Sequence, residues 1–115
     1  MKTIACLSMP LFVCLVACAN PTRPASQAEI DAAASDYTNC LNKAAERLDD
    51  GKSEVATIAL AIEPICADQF SRSTETYGRG MDPTDVLYRD IVQGRQLQLA
   101  TGAVLNVRSQ RSRQN

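Results

Sequence analysis

Few side chains in this chain can do chemistry. It has five cysteines, thirteen carboxylates and no histidine. Cys6, Cys14 and Cys18 crowd the beginning of the sequence, while Cys40 and Cys66 stand apart from them. Without histidine, the usual general base for a serine or cysteine nucleophile is absent. Two sulfurs fill only half of a tetrahedral zinc shell, and a redox pair is more commonly Cys-x-x-Cys. Glu63 and Asp68 flank Pro64 and Cys66, yet five residues apart on a helix they point about 140° from each other. Asp49 and Asp50 could collect a cation with Asp82 and Asp85 if their loops meet, but acids at helix ends serve more often as caps or solvated charges. Tyr77-Gly78-Arg79-Gly80-Met81 offers backbone donors to an anion, and its plainer role is to let the chain turn. The expectation is no catalytic residue, no metal and no cofactor.

The elements that position these groups read as helices. Ser26-Gln27-Ala28-Glu29 fits a capping box, in which serine and glutamate each satisfy a free backbone donor. Ile30, Ala34, Tyr37, Leu41, Ala44 and Leu48 then recur at spacings of three and four, one face of a helix over about 27–49. Gly51 sits where a helix commonly ends, and the preceding Asp49-Asp50 opposes the helix dipole, so this end is expected to fray. Ser53 is a candidate cap for a second helix over about 54–76, whose apolar face is Val55, Ile58, Ala59, Ile62, Ile65, Cys66, Phe70 and Tyr77. Pro64 removes a donor in mid-run and predicts a kink or interruption. Asp82-Pro83-Thr84-Asp85 is a helix start. The third helix is expected over about 83–107, although "RQLQLATGAVLNV" also fits a small hairpin.

Counting along the two arms places the last two cysteines. If the helices fold back around residues 50–53, Cys40 and Cys66 each lie about 16 to 20 Å from the turn at 1.5 Å per residue. They should meet at one height and form a structural disulfide, provided the compartment is oxidising. The expected fold is all-α: a helical hairpin stapled by one disulfide plus a third C-terminal helix, a small three-helix bundle.

The first residues indicate the compartment. Met1-Lys2 is followed by an apolar run to Ala17 that carries Pro10. At about 15 residues it is short for a membrane span, which needs about 20, and it fits a secretory signal. Leu15-Val16-Ala17-Cys18 resembles the lipobox of bacterial lipoproteins. That resemblance implies cleavage before Cys18, a thioether-linked diacylglycerol on its sulfur and, often, an acylated amino group. Ala19 in place of an aspartate implies an outer-membrane address facing the periplasm. Two or more acyl chains hold a protein stably at about 0.8 kcal/mol per buried methylene. An ordinary secretory peptide cut after Ala17 or Ala19 is the alternative. Cys6 and Cys14 then lie in a discarded segment as small apolar residues.

The expected organisation is a signal peptide at 1–17, a lipidated tether at 18–25, a helical domain at 26–107 and a basic disordered tail at 108–115. Residues 19–90 hold 7 basic and 13 acidic side chains, whereas Arg95, Arg108, Arg111 and Arg113 are the only charges beyond. Arg108, Arg111 and Arg113 could touch anionic headgroups, at about 1 kcal/mol per basic residue; solvation is the plainer reading. Nucleic acid is not an expected partner of an exported domain. Residues 39–70 loosely resemble small exported bacterial proteins with one cysteine pair, a resemblance that implies no activity. The expected function is a non-enzymatic envelope accessory module that binds another envelope protein. The alternative is an inhibitor, immunity or exclusion-type lipoprotein that blocks another protein's site.

Overall fold

The computed structural model describes residues 23–82, 84 and 95–115. Among these the regular structure is helical throughout: α1 (Gln27–Leu48), α2 (Val55–Ile62), a 3-10 turn (Pro64–Cys66), α3 (Ala67–Gly78) and α4 (Gln96–Gln114). The all-α stapled hairpin with a further C-terminal helix is what the sequence periodicity implies. The expected signal peptide, the lipidation residue Cys18 and most of the first half of the helix expected over 83–107 lie outside the described residues. No described helix is long and apolar enough to cross a membrane.

Helix α1 starts where its capping chemistry dictates. The Ser26 hydroxyl accepts from the Glu29 N–H at 3.3 Å, and the Glu29 carboxylate accepts from the Ser26 N–H at 2.7 Å. Both are donors a helix leaves unsatisfied at its first turn. The second arm is interrupted at Pro64, as a residue without an N–H requires. Helix α2 ends at Ile62, the 3-10 turn carries Pro64 in its first turn, and α3 resumes at Ala67.

Two local expectations are corrected. Ser53 does not cap α2, whose cap position is Glu54 with no side-chain bond. Instead Asp50 captures the loop: it accepts from the Lys52 and Ser53 N–H groups at 2.8 and 2.7 Å and from the Ser53 hydroxyl at 2.8 Å. A short carboxylate that can bond its own downstream backbone outcompetes a helix cap here. Gly51 takes φ 70° inside this turn, a conformation that favours glycine. The tail over 108–115 is not disordered either. Helix α4 continues to Gln114 because Arg108 and Arg111 find partners on α1.

Helix α1 packs against α3 on one side and α4 on the other, and α4 also covers α2. Among the described residues the buried core is Tyr37, Leu41, Ala44 and Ala45 from α1, Ile58, Ala59 and Ile62 from α2, Cys66, and Ala100, Ala103, Val104 and Val107 from α4. Five of these twelve are alanine. Alanine lets backbones approach closely but removes little apolar area from water, so this core is modest and covalent and ionic ties gain weight.

Tyr37 holds the centre, with its ring 5.3 Å from that of Phe70. Its hydroxyl is buried and has no hydrogen-bond partner among the described residues. Burial first, and the nearby Glu63 charge second, push its pKa up to about 12. An unmet buried hydroxyl costs about 1–3 kcal/mol. Tyr37→Phe should therefore raise stability by about 1 kcal/mol in urea unfolding, since the ring stays and the stranded group goes.

Candidate functional site

The two lone cysteines meet as the arm lengths require. Cys40 and Cys66 form a disulfide with their Cα atoms 5.9 Å apart, closing 26 residues of chain. Cys66 is fully buried and Cys40 partly so. The bond ties α1 to the 3-10 turn, where the missing proline donor would otherwise loosen the second arm.

The carboxylates singled out by spacing do not assemble. Glu63 closes α2 and Asp68 opens α3. Asp49 and Asp50 occupy the α1–α2 turn, whereas Asp82 follows the far end of α3, where it accepts from the Thr84 N–H at 2.9 Å. The two acid clusters therefore sit at opposite ends of the hairpin; Asp85 lies outside the described residues. Among the described residues no group of three metal-ligating side chains comes together.

What the turn does assemble is an ionic clasp. The Asp49 side chain is fully buried, and two arginines of α4 converge on it. Arg108 donates through Nη2 at 2.7 Å and Nε at 3.1 Å, a two-pronged grip on one carboxylate. Arg111 donates to the second Asp49 oxygen at 3.2 Å. The same guanidinium donates to the backbone carbonyls of Asp49 at 2.8 Å and Glu46 at 2.9 Å, and Arg108 donates to that of Ser53 at 2.6 Å. The Glu46 and Asp49 carbonyls are orphan acceptors at the end of α1, so the final helix caps the first, while the Ser53 carbonyl ties in the loop before α2. The Arg108 hydrogen bond holds the Asp49 carboxyl below the usual carboxylate range, and the Gly51 N–H reinforces it. The end expected to fray is thus the one most strongly held.

A second clasp joins the opposite end. Glu29 pairs with Arg79 at 2.9 Å and with Arg23 at 3.1 Å. Its pKa falls to about 2, chiefly through the Ser26 backbone N–H and then Arg79. Gly80, at φ 83°, sits beneath Pro24; a β-carbon there would lie 3.0 Å from the proline ring and 3.2 Å from its Cα. The loop over 77–81 therefore packs against Pro24.

Sequence reasoning missed both clasps. The signal for the first is visible in retrospect: Ala100, Ala103, Val104 and Val107 run directly into Arg108 and Arg111 at the same three- and four-residue spacing. The apolar stripe does not end at Val107; it changes chemistry. Arg108 and Arg111 are consequently paired with Asp49, one carboxylate against two guanidinium groups, while Arg113 is exposed.

Cysteine and carboxylate placement thus ties the fold together at three heights. No family model matches the chain, and neither a curated protein nor a solved structure matches it.

Proposed function

We propose that this chain is an envelope lipoprotein, anchored to a bacterial membrane through acylated Cys18 and facing the periplasm, that works by binding another envelope protein and not by catalysis. The observation that carries the reading is the short spacing in sequence between a lipobox-like Leu15-Val16-Ala17-Cys18 and Arg23, the first described residue, which pairs with Glu29. Five residues can span at most about 17 Å. An acylated Cys18 would hold the Glu29–Arg79 end of the hairpin close to the bilayer and leave the Asp49 end pointing away. A small core stapled by a disulfide suits an oxidising compartment. A chain without histidine, whose carboxylates serve as caps and clasps, is better equipped for recognition than for proton transfer.

Metabolic labelling with radioactive palmitate tests the anchor. The wild type should incorporate label and fractionate with membranes, and Cys18→Ser should lose essentially all of it. Equal labelling of the two proteins would overturn the reading.

A further inference from the structure

The two arms leave a groove between α1 and α3 on the side away from α4, with a volume of about 420 Å³. Lys43 and Arg47 line it from α1 and Arg72 from α3, against one acid, Asp36. All three cations are exposed, and among the described residues their side chains take part in no ion pair or hydrogen bond. This contrasts with Arg23, Arg79, Arg108 and Arg111, each of which is paired to a carboxylate. Two large apolar side chains flank the cations: Leu48, 42 % exposed, and Ile65, 54 % exposed. The Pro64 interruption sets Ile65 outward, and the disulfide fixes the spacing of the two walls, because Cys40 itself lines the groove.

We infer that this groove docks an acidic amphipathic segment of a partner protein, its apolar side chains on Leu48 and Ile65 and its carboxylates on Lys43, Arg47 and Arg72. Charge complementarity carries the choice of occupant. The groove is locally basic on a chain whose formal net charge is −1, so it selects an acidic ligand at short range where the rest of the surface does not. Concavity decides against a lipid surface. A bilayer is flat on this scale, whereas a cleft between two helices matches a helix or extended peptide laid along it. Exposed guanidinium and ammonium groups beside exposed apolar side chains are also the composition of recognition surfaces, where arginine is enriched. The inference rests on the protein-binding half of the proposed function and names its partner class; it does not depend on the anchor.

The test places a benzoylphenylalanine photocrosslinker at Gln69 in the groove, and separately at Leu60, exposed on α2 outside it. The full chain is crosslinked in its native envelope and the joined peptide sequenced. The expected result is an adduct at Gln69 on a segment in which Asp and Glu alternate with apolar residues. Reversal of the three charges, Lys43→Glu with Arg47→Glu and Arg72→Glu, should cut its yield at least tenfold with the melting curve unchanged. An adduct at Leu60 but not Gln69 would overturn the groove and leave protein binding standing. A phospholipid adduct, or a basic partner segment, would overturn the partner class. No protein adduct at either position would overturn both this inference and the binding function.

Discussion

Asp49→Ala should remove about 3 kcal/mol of stability, a large share of the total available to a domain of this size. Burial sets the size of the loss. The Asp49 side chain is fully enclosed, while Arg108 and Arg111 keep 27 % and 43 % of theirs exposed. Removing one member of a buried ion pair costs about 3–5 kcal/mol because the other charge is stranded. Here the two guanidinium groups can swing into water, which puts the cost at the lower end. What cannot be rehydrated so easily is the geometry: the arginines also cap Glu46, Asp49 and Ser53 carbonyls, and without the carboxylate nothing aims them. Urea unfolding of Asp49→Ala and Asp49→Asn would measure this. A loss under 0.5 kcal/mol, the scale of an ordinary surface change, would contradict a buried clasp.

Carboxylates at both ends of the hairpin set a pH profile. Glu29 and Asp50 are each held near 2, Asp50 mainly by the Ser53 N–H, and Asp49 is lowered as well. In the unfolded chain these groups take up protons near pH 4. Their folded pKa values lie lower, so protonation favours unfolding. Their contribution is complete above about pH 5 and is lost as pH falls through 4 toward 2. Tyr37 acts at the other limit. Its folded value of about 12 lies above the ordinary 10, so its contribution holds below about pH 10 and is lost between 10 and 12. Stability should therefore form a plateau from about pH 5 to 9, and Tyr37→Phe should extend its alkaline edge.

Reduction of the Cys40–Cys66 bond should cost about 3.5 kcal/mol, the chain entropy released by opening a loop of this length. The small alanine-rich core gives little to offset it. The expected outcome is a single cooperative unfolding transition in urea that moves to markedly lower denaturant in dithiothreitol. The double replacement Cys40→Ala with Cys66→Ala should behave alike without reductant. Unchanged midpoints would mean that packing alone holds the two arms in register.

Local signals made the hairpin legible in the sequence, and long-range ones hid the clasps. The apolar repeat from Tyr37 to Ala44, the capping box at Ser26 and the missing donor at Pro64 each act within a turn or two of chain. Equal arm lengths then forced Cys40 opposite Cys66. The Asp49 clasp spans 59 and 62 residues, and its formation depends on the direction α4 takes across α1 and α2, which no local pattern encodes. A terminal run rich in Arg, Ser and Gln resembles a solvated tail unless its spacing is read as the continuation of the Val104–Val107 stripe. Leu48 and Ile65 fit the apolar period but lie at the edge α4 does not cover, so period alone placed them in the core. The outward face they create is what gives the α1–α3 groove its apolar rims.

On the proposed anchoring, one processed chain carries a lipid on Cys18 together with the bond between Cys40 and Cys66. Intact mass spectrometry of protein extracted from native membranes under non-reducing conditions reads both at once. The expected species is a chain beginning at Cys18, heavier by a diacylglyceryl group and any N-acyl chain, and lighter by the two hydrogens of one disulfide. A chain retaining residues 1–17, or one with an unmodified Cys18 and alkylatable Cys40 and Cys66, would contradict it.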